Sequence, residues 1–393
     1  MVKFFTTKAL KVHTKDHKVK DIVMDKPNLH ILPGIYSEFR TGAPFRSAFR
    51  ITSGHINDTY HIITENPSLS YILQRINSSV FKDIPGLMKN IGIVTRHLEN
   101  KIISGDPGAG SFSVLKLIPA NSGDLYFTDT TRSCWRLYNF IEGTKSYDVV
   151  ESPELAYKGG RAFGQFQYLA SDISPEKLGE TIPFFHDIEK RLGTFQEAVS
   201  RDPEKRVKNL SREIEFVKKS EEGMKSILRL IHEGKIPLHV THNDTKFNNI
   251  LFDQNNNAVC IVDLDTVMPG TVLYDFGDAI RTGANSAAED EKDLDKVSID
   301  LTLFHAYTKG YMETAGQFLN RQEISHLAFS AKFMTFMIGL RFLTDHIDGD
   351  HYFRIHFPGH NLQRAHAQFR LLESMEEKFE DMEKIIDGLA ASI

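Results

Sequence analysis

The sequence predicts an α+β chain of two lobes, a small antiparallel sheet followed by a larger helical body. Three observations carry that expectation. Short runs rich in β-branched and aromatic residues, separated by turn-forming residues, fill residues 48–140. From Tyr147 onward apolar residues recur at helical spacing. Inside that helical body a single stretch, Pro237 to Tyr274, returns to short β-branched runs that frame clustered polar groups. At 393 residues the chain exceeds one ordinary domain. The expected division is an extension at 1–28, a first lobe at 29–142 and a second at 143–393.

Residues 1–28 are basic between Lys8 and Lys20 and show no clear period, and no function is assigned to them. Leu29 to Phe39 is apolar, but Pro33-Gly34 interrupts it, leaving at most a short helical turn on either side. Ala48–Thr52 and Thr59–Thr64 read as strands around a turn at Ser53–Asp58, and Tyr71–Ile76 as a third strand. Ile84–Asn100 reads as a helix with Glu99 at its far end. Ser113–Pro119, Leu125–Thr128 and Cys134–Phe140 complete the sheet. Leu155, Ala162, Phe166 and Leu169 share one helical face. Lys208–His232 carries an apolar stripe from Leu210 to Ile231 and ends at Gly234, as one amphipathic packing helix would. Pro269-Gly270 is expected to turn, and Asp275 and Asp278 either cap the following helix or brace the preceding loop. Glu289–Asp293 is a charge run expected on a solvated face. Phe329–Asp345 and Asn361–Ile393 read as helices.

Composition narrows the function classes. The formal net charge of −5 gives no electrostatic reason to bind nucleic acid. No apolar run approaches the ~18–20 residues of a membrane span, and Met1–Phe5 is not followed by a signal-peptide core. Cys134 and Cys260 lie in apolar strand-like runs and read as free thiols, which suit a reducing cytoplasm. A cytoplasmic monomer or weak homodimer is expected, with small molecules rather than nucleic acid or membrane as partners.

The Pro237–Tyr274 stretch carries the chemistry. Here His242-Asn243-Asp244 is followed by Asn249, and then by Asp263-Leu264-Asp265. Between them Asp253–Asn257 has turn composition, so a hairpin presents a carboxylate, an amide and a second carboxylate at one edge. Phosphoryl transfer uses such a set: Mg²⁺ takes a few hard oxygen ligands, which Asn249 and Asp263 would supply, and a metal-free carboxylate, Asp244, would orient and deprotonate a hydroxyl. Asp-x-x-x-x-Asn followed by a metal-binding Asp is the kinase catalytic spacing. Lys246 would reach the transferring phosphate as a point charge. A polar turn whose Asp and Asn serve the backbone is the structural alternative.

With a kinase in view, Ser53-Gly54 reads as a turn that closes on ATP phosphates through backbone N–H groups, or as an ordinary β-turn. His55 and Asn57 place donors at its tip. A kinase third strand offers a Lys to the phosphates, whereas this one offers Gln74 and Arg75 on opposite faces, and which of them points inward is open. Asn139, Phe140 and Ile141 would receive adenine at the connection between lobes, unless they are a plain edge strand and linker. Pro183–Asp187 begins another segment, expected to border the cleft. Arg341 lies in an apolar helix and would meet an aspartate, a phosphate or a sugar hydroxyl, and Tyr352 offers a ring face and a hydroxyl to a polyol.

The hairpin motif resembles the aminoglycoside phosphotransferase and choline kinase superfamily. Longer strings resemble its bacterial N-acetylhexosamine 1-kinase branch: GHINDTY, YILQRIN, THNDTKFNNIL, DLDTVMPG, DFGDAIR, EDEKDL and GLRFLTDHIDGDHYF, spread from Gly54 to Phe353. The resemblance implies a bilobal protein-kinase-like fold and an ATP- and Mg²⁺-dependent transfer to the anomeric hydroxyl of GalNAc or GlcNAc. It implies Asp244 as base, Asn249 and Asp263 as metal ligands, and His55, Asn57, Arg341 and Tyr352 around the sugar. Another small-molecule kinase of this fold (for choline, homoserine or an aminoglycoside) and a non-catalytic nucleotide-binding module are the alternatives.

Overall fold

The computed structural model describes residues 29–51, 56–110 and 112–391. The 1–28 extension and Ser53, Gly54 and His55 therefore lie outside the described residues. Two compact units emerge, one of residues 29–76 with Leu117–Lys145, the other of Asn77–Lys116 with the chain from Ser146 onward. Residues 77–116, placed in the first lobe by sequence, thus group with the second unit.

The first unit packs one helix on one sheet. Helix α1 is Leu32–Ser37, and the strands are β1 (Phe45–Ile51), β2 (Asp58–Thr64), β3 (Ser70–Arg75), β4 (Leu117–Ile118), β5 (Phe127–Thr128) and β6 (Cys134–Asn139). All pairs are antiparallel, in the order β1-β2-β3-β6-β4, with β5 also on β6. Alternation sends Tyr60, Ile62, Tyr71, Leu73, Trp135 and Leu137 to one face, where Leu32, Ile35 and Tyr36 of α1 close the core. Trp135 also donates its indole N–H to Asp129 Oδ2 at 2.8 Å. Pro33-Gly34 does not interrupt α1; both lie in its first turn, where proline's missing N–H costs no hydrogen bond.

The second unit is mainly helical. It contains α2 (Ile84–Ile103), α3 (Pro153–Ala170), α4 (Ile188–Arg201), α5 (Ser211–Met224), α6 (Ser226–His232), α7 (Val272–Gly283), α8 (Leu301–Ala315), α9 (Arg321–Asp348), α10 (His360–Glu377) and α11 (Phe379–Ala390). Two small ribbons interrupt them: β7 (His239–Thr241) with β10 (Met268–Gly270), and β8 (Ile250–Phe252) with β9 (Ala258–Ile261). Helices α3 and α8 pack together, and α9 lies against α4, α7 and α10. A capping box starts α9: Asn320 Oδ1 accepts the Glu323 N–H at 2.9 Å, and Glu323 Oε2 accepts the Asn320 N–H at 2.9 Å. The other oxygen of buried Glu323 meets His239 Nε2 at 2.8 Å, tying the helix start to β7.

Several expectations are corrected here. The stripe over Lys208–His232 breaks at Lys225 into α5 and α6, and Asn361–Ile393 divides at Lys378. Pro269-Gly270 is no turn but belongs to β10, since Pro269 pairs with Val240 across the ribbon. The charge run is not wholly solvated: Glu289 Oε1 meets Arg281 Nη1 at 2.6 Å and Asp290 Oδ2 meets His360 Nε2 at 3.0 Å. Helix α9 is long and apolar enough to cross a membrane by composition, yet 83% of its apolar window is buried inside the protein, as in a core helix.

Candidate active site

The loop from β7 to β8 holds Asp244, and its shape is fixed by residues well separated in sequence. Asn243 turns the chain with φ 63°, a left-handed conformation that Asn tolerates. Its side-chain amide donates to the carbonyls of Thr241 at 3.2 Å and Thr266 at 2.9 Å. Asp275, in the first turn of α7, accepts the backbone N–H groups of His242 at 2.9 Å and Asn243 at 2.6 Å. Gln167 of α3 donates to the same carboxylate at 2.7 Å, and the Tyr311 hydroxyl of α8 donates to Gln167. Asp275 therefore braces the loop. Burial pushes its carboxyl above the ordinary range despite these donors.

Two further contacts lock the loop. His242 Nε2 donates to the Val262 carbonyl at 2.9 Å, so its Nδ1 is the acceptor that takes the Asp244 N–H at 3.3 Å. Phe247 sits between α3 and α7 at two glycines. A Cβ at Gly159 would lie 2.3 Å from its ring, and one at Gly283 would lie 2.5 Å away.

The expected hairpin is β8–β9, with Ile250 opposite Ile261 and the Val262 N–H on the Asn249 carbonyl at 2.9 Å. That register sets Asn249 and Asp263 at one end of the ribbon. Asp263 has φ 60°, the second left-handed residue of the site. Asn249 Nδ2 donates to Asp244, at 2.8 Å to its carbonyl and 3.2 Å to Oδ2. Its amide oxygen is thereby left as an acceptor, and an amide oxygen and a carboxylate such as that of Asp263 are the hard donor types that Mg²⁺ takes. Lys246 Nζ lies 3.0 Å from Asp244 Oδ1. Burial works against the Asp244 carboxylate, but the Lys246 charge, with His242 and Asn249, outweighs it and holds the carboxyl below its ordinary range. The Asp244 charge in turn raises Lys246.

Beside this loop stands a cationic, aromatic wall. His186 Nε2 donates to the Asn243 carbonyl at 3.2 Å, while its buried Nδ1 has no partner among the described residues. Burial, with Arg341 and Arg191 nearby, pushes His186 down to about 3, so the ring is neutral. The neighbouring Phe185 ring lies 5.0 Å from the Arg341 guanidinium, which also faces Tyr352 at 5.3 Å and Phe353 at 5.4 Å. Arg341 Nη2 donates to the Tyr352 hydroxyl at 3.1 Å, and among the described residues it makes no ion pair. The aspartate partner considered from sequence is thus not there, although Arg341 is only 9% exposed. Asp345 instead accepts the backbone N–H groups of His351, Tyr352 and Phe353 at 2.9, 2.8 and 2.9 Å, which presents Tyr352 to Arg341.

The remaining candidates lie in the first unit. Gln74 and Arg75 do face opposite ways: Arg75 Nε donates to Asp58 at 2.9 Å, while Gln74 lies on the face away from the core. Asn57 is half-buried just before β2. Asn139 ends β6 opposite Tyr71, the Phe140 N–H donates to Ser70 at 3.0 Å, and the Ile141 carbonyl accepts Thr144 Oγ1 at 2.8 Å. The Phe140 ring stacks on His61 with centroids 4.1 Å apart. Sequence reading gave no role to His186 itself or to Arg136. Alternation along Trp135-Arg136-Leu137 was the available signal for Arg136.

The sequence profile of the phosphotransferase enzyme family matches residues 48–313, more than half of the chain. Among solved structures, an aminoglycoside phosphotransferase from Alicyclobacillus acidocaldarius is 12% identical with a TM-score of 0.57, covering 88% of this chain and 96% of that one. A choline kinase from Cryptosporidium parvum is 13% identical with a TM-score of 0.57, covering 92% and 99%. A spectinomycin phosphotransferase in complex with ADP and spectinomycin is 13% identical with a TM-score of 0.52, covering 92% and 98%. At these identities the likeness is one of fold, and it is the bilobal kinase-like α+β fold.

Proposed function

This chain belongs to the phosphotransferase enzyme family, and from that premise we propose that it is an ATP-dependent sugar 1-kinase. Its acceptor is the anomeric hydroxyl of an N-acetylhexosamine, and its products are the sugar 1-phosphate and ADP. Asp244 orients the hydroxyl and takes its proton as the oxygen bonds to the γ-phosphorus; the bond from that phosphorus to the bridging oxygen breaks, and ADP leaves. An anomeric hydroxyl is more acidic than an ordinary alcohol, so a carboxylate held ionised is an adequate base. Mg²⁺, carried by Asn249 and Asp263, would neutralise charge on the nucleotide phosphates. Lys246 orients Asp244 and adds a positive charge for the transferred group. The small unit is assigned the nucleotide, through Ser53, Gly54, Asn139, Phe140 and Ile141, and Arg341 and Tyr352 of the helical unit are assigned the sugar.

The observation that carries this reading over a choline- or aminoglycoside-type acceptor is Arg341. A cationic substrate needs carboxylates or open ring faces. Here a buried guanidinium already covers the faces of Phe185, Tyr352 and Phe353, and Arg191 adds a second positive charge. Such a wall suits hydroxyl and carbonyl oxygens of a neutral acceptor. The test is an ADP-release assay with Mg·ATP against N-acetylhexosamines, unmodified hexoses, choline, ethanolamine, homoserine and aminoglycosides, with ³¹P NMR of the product. We expect phosphate on C1 of GalNAc or GlcNAc and no turnover by Asp244→Asn. Turnover confined to amino alcohols, or phosphate at another sugar position, refutes the reading.

A further inference from the structure

We propose that Arg136, on β6, is the cation that binds the nucleotide's phosphates, and that Gln74 on β3 holds it in place. This rests on the kinase reading above. A kinase of this fold needs a fixed positive charge over the phosphates, ordinarily a lysine on the third strand. In this chain that strand offers a neutral amide at Gln74, and its charged neighbour Arg75 is engaged by Asp58 on the core-side face.

The charge reappears one strand over. Thr59, Gln74 and Arg136 are directly paired across β2, β3 and β6, forming a row on the face opposite Tyr60, Leu73 and Leu137. The Gln74 amide is committed at both ends: its Nε2 donates to Thr59 Oγ1 at 3.0 Å, and its Oε1 accepts Arg136 Nε at 2.9 Å. The guanidinium lies 5.2 Å from the ring centre of Tyr138, two residues along on the same face. Amide and ring together fix the guanidinium plane, so its ordering is already done before a ligand arrives. On this face of β2, β3 and β6 no other lysine or arginine is present among the described residues. His61, the other basic group there, is a histidine that burial holds below its ordinary range. A planar fork of donors is suited to two phosphate oxygens at once.

The experiment is calorimetric titration of the full chain with Mg·ATP and, separately, adenosine. Arg136→Met is expected to weaken ATP by about tenfold to a hundredfold, the range of hydrogen bonds to charged groups, and to leave adenosine unchanged. Adding Gln74→Lys to that variant restores some of the loss by returning a cation to the row. Equal affinity ratios for ATP over adenosine in wild type and Arg136→Met overturn the proposal. Arg136 is buried, so should the Met variant fail to fold, Arg136→Lys decides. It keeps the charge but not the fork, and it must weaken ATP more than adenosine; equal effects on both overturn the proposal. A wild-type protein that binds ATP no better than adenosine, or transfers no phosphate to any acceptor, sinks the kinase reading itself.

Discussion

Asp244 and Lys246 form an ion pair, and that pairing sets how the proposed reaction should respond to acid. The Asp244 carboxyl is held below its ordinary range by Lys246, whose Nζ lies 3.0 Å away. A depressed carboxyl is present as the anion above its ordinary range, near pH 4, and fails only as pH falls through the lower, folded value. Lys246→Met removes the main charge that depresses it while burial still pushes upward. The acid limb of the kcat/KM profile should therefore move to higher pH in that variant, and an unmoved limb would mean another group controls it. The hairpin that joins Asn249 to Asp263 was legible because turn residues stood between two β-branched runs. The state of Arg341 was not. A lone arginine in an apolar helix says that a partner must exist but not which, and three aromatic rings from distant segments proved to surround it. His186 escaped for a similar reason, since its contact to the Asn243 carbonyl joins positions far apart in the chain.

At the scale of elements, the loop that holds Asp244 borrows its rigidity from helices. Asp275 ties it to α7, Gln167 passes that tie to α3, and Phe247 is held where α3 and α7 each present a glycine. Gly159→Ala puts a methyl 2.3 Å from the Phe247 ring, and a ring clamped from both sides has nowhere to go. We expect a loss of about 1–3 kcal/mol, the usual cost of overpacking, read from urea denaturation. A fall in kcat larger than any change in the KM for ATP should accompany it, because the displaced loop carries Asp244, the proposed base. A variant as stable and active as wild type would show that Phe247 can move freely. The helices themselves were largely legible from their apolar periodicity, and their interruptions were not. The stripe from Leu210 to Ile231 continues in phase through Lys225, where no proline or αL glycine announces the break between α5 and α6. Pro269-Gly270 carried turn chemistry but was recruited into β10 by its pairing with β7, a choice made by tertiary contact rather than by the two residues.

For the molecule as a whole, nucleotide binding should appear as stability. Mg·ATP at a hundredfold excess over its Kd should add ~2.7 kcal/mol to unfolding. Asp263→Asn should lose the share of that gain that depends on Mg²⁺ and keep the share that ATP gives alone; an unchanged Mg²⁺ response would remove Asp263 from the metal set. The two-lobed α+β architecture was legible from the switch between strand-like and helical periods near Tyr147. The grouping of residues 77–116 with the helical unit was not, because sequence order gives no sign that α2 leaves the sheet that precedes and follows it. One consequence lies in Trp135, the single tryptophan of the chain, buried in the sheet and bonded to Asp129. Its fluorescence, excited selectively at the red edge, is an optical probe of the small unit alone, whereas the far-ultraviolet circular dichroism of so helical a protein is dominated by the other. Recorded together during a melt, the two signals read the halves of the molecule separately, with no label attached.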